Sequence, residues 1–186
     1  MGSEEDLDDD SRLTRDVYAH FGVAIYLAQV LEKGVLTCVV LADVIAAGVD
    51  RAEELGAVWD PLWAKHERLP LGALLKEFRR AATPDEGLLA ELGEALRKRN
   101  HLAHYYFWDH AADVFSVPGR KAMIRELLET HEKFEALNER VTAVTVEMTV
   151  RAGGTPEQLA RAVRAQQAAM KEQVRIRDGD LGASDA

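Results

Sequence analysis

The chain has 186 residues, 47% apolar and 30% charged, which is enough for one domain with a sizeable core. Its 23 Lys and Arg against 32 Asp and Glu give a net charge of −9, the wrong sign for a protein that coats nucleic acid nonspecifically, although a small basic site remains compatible with it. Cys38 is the single cysteine, so no intrachain disulfide can form; a buried thiol in a reducing cytoplasm is the expectation.

Glu4, Glu5, Asp6, Asp8, Asp9 and Asp10 form an acidic block, and residues 1–10 are expected to be a disordered arm. No basic region followed by an apolar run opens the chain, so no secretory leader is expected. From Ser11, a plausible N-cap, to about Ala47 the apolar positions Val17, Phe21, Ala24, Ala28, Leu31, Val35, Cys38, Ala42 and Ile45 recur three and four apart, which predicts one long amphipathic helix. Gly22 and Gly34 within it mark close packing or a bend. The run from Gly34 to Val49 is short for a membrane span and carries Asp43, so it reads as core helix.

A second helix is predicted over about Arg51–Glu67 and a third over Leu71–Ala81, with Pro70 between them. Thr83-Pro84-Asp85-Glu86 is a helix start signal, with Thr83 as N-cap, and the fourth helix is expected to run to about Trp108. Val117-Pro118-Gly119 punctuates the chain. A long fifth helix then reaches about Arg151, with Met123, Leu127, Phe134, Leu137, Val141, Val144 and Met148 on one stripe. Its β-branched stretch Thr142–Val150 would also suit a strand, but the three-four spacing favours helix. Gly153-Gly154 ends it, and Thr155-Pro156-Glu157-Gln158 opens a further helix. The expected organisation is an arm over 1–10, a bundle over 11–152, an added helix over 153–174 and a tail over 175–186. The expected fold is all-α, an antiparallel helical bundle with long first and fifth helices.

Chemistry concentrates on the fourth helix, in Arg99-Asn100-His101-Leu102-Ala103-His104 followed by Tyr105-Tyr106-Phe107-Trp108. Arginine offers a forked pair of donors to phosphate, and histidine moves protons near neutral pH. Asn100 and His104 share a helix face at i,i+4, and Arg97 shares it with His104. Arg99 lies about 140° from His104 on an ideal helix and falls in the apolar seam with Leu92, Leu96, Ala103 and Tyr106. A seam arginine needs a partner. From the residue pattern alone, a pair with a carboxylate such as Asp43 or Glu32 is the simpler reading; the other is an arginine facing a cleft or a second subunit.

The spacing Arg-Asn-x3-His on a late helix of an all-α bundle resembles the R-x4–6-H signature of the HEPN superfamily, and Arg99 to Tyr106 also fits the longer form R-x4-H-x-Y of HEPN toxins. The resemblance covers the helical core from about Ser11 to Arg151. It implies an endoribonuclease that needs no metal or other cofactor, in which the substrate's 2′-hydroxyl attacks the adjacent phosphorus and leaves a 2′,3′-cyclic phosphate. It implies Arg99, Asn100 and His104 as catalytic residues, with Arg97, Lys98, His101 and Tyr106 handling RNA. That chemistry needs both a base and an acid, and one copy of the motif supplies one well-placed histidine, so a homodimer is expected. A separate antitoxin chain is the implied antidote, since no nucleotidyltransferase segment is present. A toxin or phage-defence setting follows from the same resemblance, while the single cysteine, the lack of a leader and the short apolar run with Asp43 lead to the expectation of a cytoplasmic protein with no membrane partner. The alternative is a non-catalytic HEPN-like dimer that acts as an interaction or regulatory module. His101, His104, His110 and Asp109 show no zinc-type spacing, so no metal site is expected. His20, His66 and His131 read as surface or satisfied core residues.

Overall fold

The computed structural model describes residues 4–48 and 52–155, together with 157, 158, 160, 161 and 164. Among these residues there are six α-helices, one 3-10 turn and no strand: α1 (Glu4–Ala46), α2 (Ala52–His66), α3 (Leu71–Ala82), α4 (Glu86–His104), α5 (Tyr106–Asp109), the 3-10 turn Asp113–Phe115, and α6 (Val117–Arg151). The β-branched stretch of α6 is helical throughout. Contacts divide the chain into two compact units, Met1–Thr145 and Val146–Ala186, and the site described below lies wholly in the first.

The seam expected on α1 forms the core: Val17, Ala24, Ala28, Leu31, Val35 and Cys38 are buried. Ile45, expected to continue that seam, is 38% exposed, because α1 ends immediately afterwards. The acidic block expected as an unstructured arm is instead part of α1, which begins at Glu4 rather than at Ser11. Asp10 pairs with Arg120 of α6.

Pairings along the two long helices fix their direction. Asp10 meets Arg120, His131 Nε2 lies 2.8 Å from the His20 carbonyl, and Cys38 Sγ lies 3.0 Å from Thr145 Oγ1. Residue numbers rise together, so α1 and α6 run parallel. On α4 they run in opposition: Arg99 meets Glu32 and the Tyr106 ring reaches back to Phe21, while Lys98 meets Glu126 and Glu91 meets Arg140. The bundle is therefore antiparallel between α4 and each long helix but parallel between the two long helices, a refinement of the expected antiparallel arrangement. Gly34 sits at the close approach: a Cβ there would lie 3.3 Å from Val141 Cγ1. Gly22 has open space around it.

Phe78 of α3 is fully buried with Leu71 and Leu74, each such side chain contributing about 1.5–3 kcal/mol. Within Asp10–Ala46, α1 is long and apolar enough to cross a membrane by length and composition. The buried side chains of that stretch pack inside the bundle. In the second unit, Thr155 and Gln158 form the reciprocal cap expected from the sequence, with Thr155 N donating to Gln158 Oε1 (2.8 Å) and Gln158 N to Thr155 Oγ1 (3.2 Å). Most of the helix expected over 153–174, and all of the tail over 175–186, lie outside the described residues.

Candidate functional site

α4 carries the motif. Its N-terminus is capped by Asp85, whose Oδ1 accepts from Leu88 N at 2.8 Å. Thr83, expected as that cap, instead closes α3 in the left-handed conformation (φ 43°). Both residues are good cap formers, and the later one takes the role: Asp85 is itself extended (φ −63°, ψ 151°) and its side chain accepts from Leu88 N.

The helix does not reach Trp108 unbroken. At Tyr105 the backbone leaves helical geometry (φ −130°, ψ −20°), and a short turn, α5, follows. Four consecutive aromatic side chains cannot all be buried on one helical path, and Tyr106, four positions after the buried Leu102, is the one that continues the seam. Tyr106 goes inward, 1% exposed, its ring 5.6 Å from Phe21 and 4.6 Å from His110, and its hydroxyl donates to the Met123 carbonyl at 3.3 Å. Burial, then the charges of Glu126 and Asp113, push its ionisation well above the ordinary tyrosine range. Phe107 packs on Tyr18 and Phe21. Tyr105 and Trp108 face solvent, 59% and 83% exposed.

The motif side chains separate into two groups. Lys98 and Arg99 lean onto neighbouring helices. Lys98 Nζ lies 2.5 Å from Glu126 Oε1, and Glu126 in turn lies 3.0 Å from His110 Nε2. Arg99 reaches Glu32 of α1 at 3.3 Å and lines a small apolar cavity with Leu31, Val35, Leu75 and Phe134. Of the two carboxylates the sequence offered, Glu32 is its partner. Asp43 instead takes His66 Nε2 at 2.8 Å; burial alone would raise the Asp43 pKa, but hydrogen bonds from His66 and Lys65 outweigh it and hold the carboxyl below its usual value.

The second group faces water: Arg97, Asn100 and His104 are exposed. The link between the groups is Asn100, whose Oδ1 accepts from Arg99 Nη1 at 3.1 Å. No hydrogen bond or ion pair joins Arg99 directly to His104, consistent with their separation around the helix. The His104 ring stands edge-on to Tyr105, with centroids 6.1 Å apart. His101, half-buried, lies 2.9 Å from Asp109 through Nε2.

Tyr106, expected among the RNA-handling residues, is thus a core residue with its hydroxyl occupied. From the sequence, Tyr105, Tyr106, Phe107 and Trp108 are all candidates to stack RNA bases, with core or dimer contact the stronger reading for each; the structure buries Tyr106 and leaves Tyr105 and Trp108 exposed. The His101–Asp109 pair depends on the tight turn after Tyr105. His131 is a satisfied core histidine, as one of its two readings held, and so is His66 on its Nε2 side, whereas His66 Nδ1 is buried without a partner. Among the described residues no group of three or more His, Cys, Asp or Glu side chains is placed to hold a metal ion. Comparison with protein-family models, curated proteins and solved structures found no match to this chain.

Proposed function

We propose that this protein is a HEPN-type endoribonuclease that cuts RNA without a metal. The observation that carries the reading is that α4 presents Asn100 and His104 on one open face while the Asn100 amide holds the Arg99 guanidinium. An exposed imidazole can reach a ribose hydroxyl or a leaving oxygen, and a tethered guanidinium one turn back can meet charge on phosphorus.

In the reaction, a neutral His104 takes the proton of the ribose 2′-hydroxyl as that oxygen bonds to phosphorus. The bond from phosphorus to the 5′-oxygen breaks, and an imidazolium returns a proton to the leaving oxygen. A second His104, from a two-fold partner, fills the second role, and Arg99 or Arg97 offsets the charge on the non-bridging oxygens. A cytoplasmic toxin or phage-defence protein, neutralised by a separate antitoxin chain, is the setting this activity fits.

A second reading has its own support. Arg99 is held by Glu32, so it already has a structural duty. On that reading the chain is a non-catalytic helical dimer serving as an interaction module. One experiment separates the two: purified protein is incubated with single-stranded RNA in EDTA. The ribonuclease reading expects 2′,3′-cyclic phosphate ends, no cut at a 2′-deoxy position, and loss of cutting in His104→Ala. Cleavage that survives His104→Ala, or no cleavage of any RNA, overturns it.

A further inference from the structure

We infer that Tyr105 and Trp108 form a stacking platform for two unpaired bases of an RNA strand laid along the exposed Arg97–Asn100–His104 face. The inference rests on the ribonuclease reading for its ligand, but its own grounds are separate. The rings of Trp108 (83% exposed) and Tyr105 (59%) stand in water, although the core between α1 and α6 takes in their neighbours Tyr106 and Phe107. Solvated indole and phenol rings are unfavourable for stability and well suited to base stacking, because every base has a flat face.

Position and charge make the occupant specific. Arg97, Asn100 and His104 follow one face of α4 over about 10 Å, and Tyr105, edge-on to His104, continues it. In a chain of net charge −9, the stretch from Arg97 to Trp108 contains no acidic residue. The next residue, Asp109, is held by His101 at 2.9 Å. The strip therefore offers the exposed Arg97 guanidinium, an amide and an imidazole for phosphate and ribose. The turn that follows, in which Asp109 N donates to the Tyr105 carbonyl at 2.9 Å, carries Tyr105 and Trp108 three positions apart on one helical face for bases. A duplex keeps its bases stacked on one another and cannot use the rings, so the strip selects single strands.

The test uses the full chain carrying His104→Ala, so that RNA survives, and a short labelled single-stranded RNA followed by anisotropy. Trp108→Ala and Tyr105→Ala, each added to that background, are expected to weaken binding about tenfold, while Trp108→Phe binds nearly as the parent does. A duplex of the same sequence should bind far more weakly. RNA should quench tryptophan emission, and the quench should vanish in Trp108→Phe, which keeps Trp59 and Trp63. Unchanged affinity in both alanine variants overturns the platform, as does equal binding of duplex. A Trp108 signal that responds to protein concentration and not to RNA also overturns it, because the rings are then covered by a second copy. The two readings fail distinguishably: RNA cleavage with an unaltered KM in Trp108→Ala removes the platform alone, whereas RNA-dependent quenching without cleavage by the unmutated protein removes the ribonuclease alone.

Discussion

Arg99 Nη2 lies 3.3 Å from Glu32 Oε2, across the seam between α4 and α1, while Nη1 of the same guanidinium holds Asn100. One side chain thus joins a packing contact to the motif's open face. Both partners are partly solvated, so the pair contributes modestly, about 1 kcal/mol or less. A double-mutant cycle on Arg99→Ala and Glu32→Ala should return a coupling of that size by denaturant unfolding. Cleavage should fall strongly in Arg99→Ala and persist in Glu32→Gln, where the guanidinium is freer to meet phosphate. Equal loss of cleavage in both single variants would mean that the pair acts through structure alone.

His104 is exposed, its ring edge-on to Tyr105. His104→Ala is expected to leave stability within about 0.5 kcal/mol of the parent while abolishing cutting. Thermal unfolding and a cleavage assay on the same preparation check both halves.

Tyr106→Phe tests the core assignment. It removes only the hydroxyl bond to the Met123 carbonyl, so a loss of about 1 kcal/mol is expected, with RNA affinity unchanged. A drop in affinity without a loss of stability would return Tyr106 to the substrate site.

Cys38 is fully buried, and burial pushes its thiol up to about 11, only partly offset by the bond to Thr145. The folded thiol holds its proton more tightly than the unfolded one, whose pKa is near 9. Stability from this group is complete below that value, declines as pH rises, and is fully lost above about 11, a change of about 3 kcal/mol. Denaturant midpoints measured from pH 8 to pH 11 should fall less in Cys38→Ala than in the parent. A thiol reagent at pH 8 should label Cys38 only on unfolding; fast labelling of the native protein would show that the seam opens.

Gly119 opens α6 with its N–H donated to Ser116 Oγ, and a Cβ there would lie 2.4 Å from the Asp113 carbonyl oxygen and 2.5 Å from Asp113 Cα. Backbone cannot yield as a flexible side chain would, so Gly119→Ala should cost about 2–4 kcal/mol. It should also displace the Asp113–Phe115 turn, which hydrogen exchange would detect.

The helices were legible because three-four periodicity over tens of residues is a strong signal, and Val17 through Cys38 and Met123 through Val141 lie where that periodicity places them. Ends were harder. Thr83 and Asp85 are both credible caps, and only the backbone, left-handed at Thr83 and extended at Asp85, decides between them. The acidic block looked solvated by composition, but it lies within α1 and its last member, Asp10, finds Arg120. At the site, helical phase alone places Asn100 and His104 on one open face and Arg99 and Tyr106 toward the seam, as the structure has them; the break at Tyr105, which no glycine or proline announces, was not legible. Arg99's partner could be narrowed to two carboxylates by seam position, and the choice needed the register of α1 against α4.

The parallel contact of α1 with α6 also bears on how the molecule is made. It joins Cys38 to Thr145 across 107 positions and His20 to His131 across 111. An all-helical chain ordinarily folds on local contacts, and α2 and α3 supply these to α1, but the contact with α6 closes only after nearly the whole first unit has been synthesised. Until then the part of the α1 stripe that α6 covers stays open on the growing chain, and refolding should be slower than helix content alone would indicate.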